Sequence, residues 1–271
     1  MISSKIIRRG IALAAVSAVV AVPAAAEAKP VITMSGSTTV APLAALLARA
    51  YLRSCHHCVS FKLLQGGSNI GVNDVAHGRV TIGNSSRDPV PGDPGGIVFT
   101  PIARDAVCLI TNRANHLSGL SQAEVQTVFS GGVRDWGQVP GAGIGGTIDL
   151  FTRNAASGTH DAFQKLFMNP KSVANFAAQL ASNGLVEQGV KNDPHGIGYV
   201  SLHFSGNVHP VSFEGVACTL RNAKSGQYAG VRNLYMVTRG NPGGAAGRWI
   251  RWIRNNGTAN RIIASDWVPL H

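Results

Sequence analysis

Three short segments place Gly, Ser and Thr where a chain would turn from a strand into a helix. They are Met34-Ser35-Gly36-Ser37-Thr38-Thr39-Val40-Ala41-Pro42, Gln65-Gly66-Gly67-Ser68-Asn69-Ile70-Gly71 and Thr152-Arg153-Asn154-Ala155-Ala156-Ser157-Gly158-Thr159. A fourth, Gly83-Asn84-Ser85-Ser86-Arg87-Asp88, closes a strand without opening a helix. Helix starts expose unpaired backbone N–H groups and a partial positive charge, and Gly lets an anion approach them closely. Ser and Thr hydroxyls add donors of the same kind. N-capping accounts for each turn taken alone. Three such turns, one carrying Arg153, point together to a shared anion site.

The energetics are feasible for a dehydrated oxyanion. Micromolar binding needs about 8 kcal/mol. Hydrogen bonds to a charged group contribute about 1.5–3 kcal/mol each, and a partly buried helix terminus up to about 2 kcal/mol. A guanidinium fork with several hydroxyl and backbone donors reaches that range without a metal. Other anion sites do not fit. No Lys stands where a P-loop needs one, and no GxGxxG opens a helix with an acid downstream.

The elements that must position these turns alternate along the chain. Strand-like runs occur at Val31 to Met34, Val59 to Leu64, Val80 to Gly83, Ala106 to Thr111, Ile148 to Thr152, Ile197 to Leu202 and Leu234 to Thr238. Helical spacing occurs at Ala41 to Arg53, Ile70 to His77, Gly158 to Met168, Ser172 to Asn183 and Ala245 to Asn255. Ser121 and Glu124 form a capping box for a further helix ending near Phe129, just before Gly131-Gly132. A Pro/Gly loop runs from Pro89 to Gly96, and no internal repeat is present. This alternation predicts α/β architecture with helices covering sheets.

The chain has 271 residues, 45% of them hydrophobic, which excludes a disordered protein and allows one large domain or two smaller ones. Its only long apolar run follows Lys5, Arg8 and Arg9, spans Gly10 to Val22, and leads into Ala24, Ala25, Ala26 and Ala28. That pattern is a secretory signal peptide, cleaved after Ala28 or Ala26. The run is too short as a helix to cross a bilayer about 30 Å thick. Removing residues 1–28 leaves 21 basic against 12 acidic residues, a net charge of +9. Such a surplus favours anionic partners but does not separate phosphate from nucleic acid or lipid. Four cysteines in an oxidising compartment allow three pairings, of which we favour Cys55 with Cys58 and Cys108 with Cys218. Cys55-His56-His57-Cys58 could hold a metal, but no second ligand pair stands at a zinc-site distance.

In order, Ser35-Gly-Ser-Thr-Thr-Val-Ala-Pro-Leu43, Gly66-Gly-Ser-Asn-Ile-Gly71, Ile82-Gly-Asn-Ser-Ser-Arg87 and Ser157-Gly-Thr-His-Asp-Ala-Phe163 carry a resemblance that covers nearly the whole chain after the leader. Phe129-Ser-Gly with Trp136, Gly196-Ile-Gly-Tyr-Val200 and Val268-Pro-Leu270 extend it. The sequence resembles the PstS-like phosphate-binding proteins of ABC-type phosphate importers. The resemblance implies a two-lobed periplasmic-binding-protein fold, each lobe a mixed β-sheet flanked by helices. Two crossings, near Pro101 to Val107 and Leu234 to Thr238, would form the hinge. Lobe I would comprise residues 29–103 and 236–271, and lobe II residues 104–235.

The implied phosphate-binding residues are Ser37, Thr38, Thr39, Ser68, Ser86, Arg153, Ser157, Gly158 and Thr159. The resemblance further implies a periplasmic or secreted monomer without metal or cofactor and without nucleic-acid contact, passing phosphate to the membrane permease of an ABC importer. Two departures bear on selectivity. Many family members carry Asp where Ser86 stands, accepting a hydrogen bond from protonated phosphate, and an acid two residues after the binding Arg, where this chain has Ala155. Sulfate has no proton to donate, so a receptor for another tetrahedral oxyanion such as sulfate is the alternative. Asp88 could supply a carboxylate, although a turn residue before Pro89 is the simpler role.

Two other features have plain explanations. Ser157, His160 and Asp161 suggest a phosphoester hydrolase, but triads converge from separated segments, and the GxSxG elbow is missing. Arg248, Trp249, Arg251, Trp252 and Arg254 could face a membrane surface or nucleic acid. The spacing equally gives a docked helix with Trp and Ile inward and Arg in solvent.

Overall fold

Alternate apolar residues build the first strand of the computed structural model, which describes residues 28–270. In β1 (Val31–Gly36), Ile32 and Met34 face the core. The leader lies outside the described residues, apart from Ala28. The chain continues through α1 (Val40–Ser54), β2 (Ser60–Leu63), α2 (Ser68–Ala76), β3 (Ile82–Ser85) and a long β4 (Ile97–Thr111). Then come β5 (Gly119–Leu120), α3 (Gln122–Phe129), β6 (Asp149–Arg153), α4 (Gly158–Phe163), β7 (Ala178–Leu180), α5 (Asn183–Asn192) and β8 (Gly196–Ser201). The remainder forms β9 (His209–Phe213), α6 (Leu220–Ser225), β10 (Val231–Arg239), α7 (Gly244–Asn255) and α8 (Gly257–Asp266).

The strands run in the order β2-β1-β3-β10-β4-β8-β6-β7, with β9 beside β4 and β5 beside β9. β1 is parallel to β2 and β3, and β6 is parallel to β7 and β8. β10 is antiparallel to β3 and β4, and β8 antiparallel to β4. β4 is the shared member. Its residues Ile97 to Ala106 pair with β10, and from Val107 onward it pairs with β8 and β9.

Two large hydrophobic cores and a small cluster of Val72, Val75, Tyr235 and Val237 follow from this layout, and the two large ones give the two-lobed fold. One gathers Ile32, Leu43, Leu47, Ile82, Trp249 and Trp267 under the first strands. The other gathers Leu109, Phe129, Trp136, Phe163, Phe167 and Tyr199. Ile102, Ala103, Leu234 and Met236 belong to the first core and Ala106 and Val107 to the second, against which Val231 also packs. β4 and β10 thus cross from one core to the other.

The capping box holds: Ser121 accepts from the Glu124 amide, and the Glu124 side chain returns to the Ser121 amide. Both favoured disulfides are present, Cys55–Cys58 and Cys108–Cys218. The expectation of a helix from Ser172 to Asn183 is wrong. That stretch contains turns, then β7, and α5 begins only at Asn183. The carbonyls of Leu180 and Ala181 are taken by the Arg153 side chain, and Ser182 caps α5 by accepting from Leu185 N. β4 also begins nine residues before the expected Ala106. Pro101 hides it, because proline lacks a ladder donor. The ladder slips there: Leu234 faces Ala103, whereas Tyr235 faces Pro101.

The Cys108–Cys218 bond spans 110 residues of sequence. Chain-entropy arithmetic for a loop of that size gives about 4–5 kcal/mol. Cys108→Ala with Cys218→Ala is therefore expected to lower the urea midpoint markedly. An unchanged midpoint would mean the crosslink adds no stability.

Candidate functional site

At the end of β1, Gly36 adopts φ +122°, and a Cβ there would strike the Asn84 carbonyl. This close approach brings Ser37 N to Asn84 O at 2.9 Å and ties the start of α1 to β3. Ser37 Oγ accepts from the amides of Thr39 and Val40 at 3.2 and 3.3 Å and donates to Ser86 Oγ at 2.8 Å. The second turn supplies Ser68, whose Oγ accepts from Ser86 N at 3.0 Å and lies 3.3 Å from Ser86 Oγ. Ser86 therefore sits between two helix starts of lobe I.

The other lobe contributes the start of α4. Ser157 Oγ accepts from the amides of Thr159 and His160, at 3.1 and 3.2 Å. Thr159 Oγ1 is 3.1 Å from Thr39 Oγ1. Gly158 packs so tightly that a Cβ would overlap Ser68 Oγ. Asn69 reinforces the junction, with N donating to Ala156 O at 3.1 Å and Nδ2 to Ala155 O at 2.9 Å. A fourth helix start joins them. Asn183, the first residue of α5, donates from Nδ2 to Thr38 Oγ1 at 3.1 Å and Thr39 Oγ1 at 2.9 Å. Four partial positive charges thus converge on one cluster of buried hydroxyls.

Two guanidinium groups adjoin this cluster. Arg153, only 1% exposed at the end of β6, donates from Nε to Leu180 O at 3.1 Å and from Nη2 to Ala181 O at 2.9 Å. Its Nη1 is buried without a protein partner. Burial pulls the Arg153 pKa down to about 10; the Tyr199 hydroxyl opposes this and the Arg232 charge adds to it. Tyr199 OH orients this corner, accepting from Arg153 N at 3.2 Å and lying 2.7 Å from Thr152 Oγ1 and 3.0 Å from His160 Nδ1. Burial lifts the Tyr199 phenol to about 12, so it stays neutral.

Arg232 on β10 is the second guanidinium. Its Nη2 donates to Asp105 Oδ2 at 2.9 Å and Thr39 Oγ1 at 3.1 Å, and its Nη1 to Gly158 O at 3.2 Å and Ser86 O at 3.4 Å. One side chain on a crossing strand thus grips groups from both lobes. Arg232 and Asp105 face each other in the β10–β4 register. Asp105 Oδ1 accepts from Ser201 Oγ at 2.9 Å, so both its oxygens are engaged. Burial pushes the Asp105 carboxyl up and the Arg232 guanidinium down, and each charge holds its partner ionised against that penalty. With two buried guanidinium groups against one carboxylate, the cluster carries excess positive charge.

The structure brings Ser37, Thr38, Thr39, Ser68, Ser86, Gly158 and Thr159 together. Ser157 stands at their edge with its oxygen engaged in capping α4, and Arg153 joins through Tyr199 and His160. Asp88 faces elsewhere, accepting from Tyr235 OH at 2.8 Å and Lys165 Nζ at 3.0 Å. Arg87 is held by Asp93, Asn69 and Asp161. Sequence reasoning missed Arg232, Asp105 and Asn183. Asp105 and Arg232 lie just outside the apolar runs Ala106 to Thr111 and Leu234 to Thr238, next to Arg104 and Asn233, so the local pattern does not single them out. Away from the cluster, ligand atoms of Asp149, Asp193 and His195 come within 4.8 Å of one another. All three are reached by solvent, and Asp193 Oδ1 already accepts from His195 N.

A PBP superfamily domain matches residues 23–256. The phosphate-binding protein PstS of Bacillus subtilis is 23% identical over 245 residues, covering 88% of this chain and 80% of that protein. PstS of Borreliella burgdorferi is 25% identical over 221 residues, covering 77% and 78%. A crystal structure from Clostridium perfringens, described as a putative phosphate ABC transporter substrate-binding protein with bound phosphate, superposes with a TM-score of 0.83. That match has 25% identity and covers 89% of this chain and all of the other.

Removing one partner of a buried ion pair leaves the other charge uncompensated and costs about 3–5 kcal/mol. Asp105→Asn is expected to destabilise the protein by that amount in urea unfolding. Wild-type stability in this variant would mean that Thr39 and the two carbonyls alone carry the Arg232 charge.

Proposed function

The chain belongs to the PBP superfamily, and we propose that it is an extracytoplasmic receptor that captures inorganic phosphate between its lobes and delivers it to an ABC import permease. One observation carries this reading: helix starts from both lobes meet at buried hydroxyls beside a guanidinium N–H that has no protein partner. Such a nest offers many short donors and positive charge, which is what a tetrahedral dianion loses when it leaves water. The PstS relatives, and the phosphate named in the description of the Clostridium perfringens structure, support the same ligand.

Capture follows from the layout. With the lobes swung apart about β4 and β10, Ser37, Thr38, Ser68 and Ser86 would meet the anion first. Closure would bring Arg153, Gly158 and Thr159 onto it and expel the remaining water. We place the lobe boundaries where the sequence put them, at residues 103/104 and 235/236. The leader at residues 1–28 would direct export, and no described helix is long and apolar enough to cross a membrane. A hydrolase is disfavoured by the local bonding. Ser157 Oγ accepts two amides, and the His160 ring turns to Tyr199.

Sulfate is the reading to set against phosphate, because Ser86 replaces an acid and Asp105 has no oxygen free. Calorimetric titration of refolded, phosphate-free protein with phosphate and sulfate separates the two. A phosphate affinity at least about tenfold above that for sulfate is expected, and sulfate preference would overturn the assignment. Arg153→Ala is expected to weaken phosphate binding by about tenfold or more, the loss of charge-assisted bonds. Unchanged affinity would remove Arg153 from the site.

A further inference from the structure

Helices α1, α7 and α8 pack together over one face of the lobe I sheet and share its core. Their outer side is strongly charged. Arg49, Arg53, Arg248, Arg251, Arg254 and Arg261 are all exposed, and Asp266 is the one acid on these three helices. None of the six arginines belongs to an ion pair among the described residues, whereas Arg79, Arg87, Lys165 and Arg232 each do. Among the described residues no ion pair offsets this concentration of like charge, which is self-repelling.

The packing of α7 narrows the choice of partner. Trp249, Ile250 and Ile253 are buried, and Trp252 lies against Tyr51 with ring centroids 5.3 Å apart. Aromatic rings that could stack on exposed bases are therefore turned inward, against a single-stranded nucleic acid. The same orientation rules out insertion of α7 as an interfacial helix, which would present Trp and Ile outward. What remains is a spread of guanidinium forks, whose planar donors match phosphate oxygens. Exposed Leu46 shares the α1 stripe with Arg49 and Arg53. An array spread over three helices suits a laterally extended anionic surface.

We propose that this arginine face docks the protein on an anionic phospholipid bilayer. The face lies away from the oxyanion nest. Thr39 opens α1 and Arg53 stands in its last turn, which at about 1.5 Å per residue puts them about 20 Å apart. Docking there leaves the nest clear of the bilayer. This inference does not rest on which ligand the nest takes.

The test is sedimentation of the protein lacking its leader with phosphatidylcholine vesicles, with and without phosphatidylglycerol, at low and high salt. Binding is expected only with phosphatidylglycerol and is expected to vanish at high salt, where the Debye length is a few ångströms. Arg248→Gln/Arg251→Gln/Arg254→Gln is expected to lower partitioning by about a hundredfold. The control Lys171→Gln/Lys191→Gln/Arg221→Gln, which removes equal charge from exposed positions elsewhere, is expected to lower it far less. Should the first variant unfold, Arg49→Gln/Arg53→Gln makes the same comparison on α1. Equal loss in the control, binding without phosphatidylglycerol, or tighter binding to DNA than to the vesicles would each overturn the proposal. Phosphate titration of the variants is expected to be unchanged, which separates this outcome from failure of the ligand reading.

Discussion

A guanidinium held out of water where two lobes meet is the constraint on which this structure turns. Arg232 reaches Thr39 and Ser86 on one side and Gly158 on the other, and Asp105 on the neighbouring strand neutralises it. A buried pair of this kind is weak evidence for net stability, since desolvation offsets much of the attraction. What it gives is geometry. The donors of Arg232 fit this arrangement only when β4, β10 and both helix-start loops hold their places. The ion pair thus couples the crossing strands to the contact between lobes.

Around that point, local chemistry and packing agree. Helix starts are where backbone N–H groups go unpaired, and four of them are brought together by loops near residues 37, 67, 157 and 182. Close approach demands glycine at two of the contacts. At 36 the backbone has positive φ and abuts Asn84, and at 158 it abuts Ser68. Excess positive charge, short donors and excluded side-chain bulk are one arrangement seen three ways, and each favours a compact anion.

Much of this was legible in the sequence because it is local. Ser37, Ser68 and Ser157 stand at strand-to-helix turns, and turn chemistry does not need tertiary contacts to be read. The capping box at Ser121 and Glu124 was visible for the same reason. Long-range features were not. Arg232 and Asp105 are 127 residues apart in sequence and acquire meaning only through strand register. Asn183 was hidden in an apolar-spaced run that reads as helix, because the carbonyls ending that run are claimed by Arg153 from another strand. The same holds for the early part of β4, where Pro101 breaks the local signal and a register slip on β10 absorbs it.

The interrupted layout of lobe I has a consequence for how the chain matures. Its sheet needs β10 between β3 and β4, and its core needs Trp249 and Trp267, so it stays incomplete until the C-terminal helices are made. The buried residues of the second core run from Ala106 to Tyr228, with Val268 alone from the C-terminal segment. All but one of those residues are made before β10 and the C-terminal helices, so the second core can gather before the first is complete. β1, β2 and β3 are made early and pair with one another, yet β3 must wait for β10 as its other neighbour.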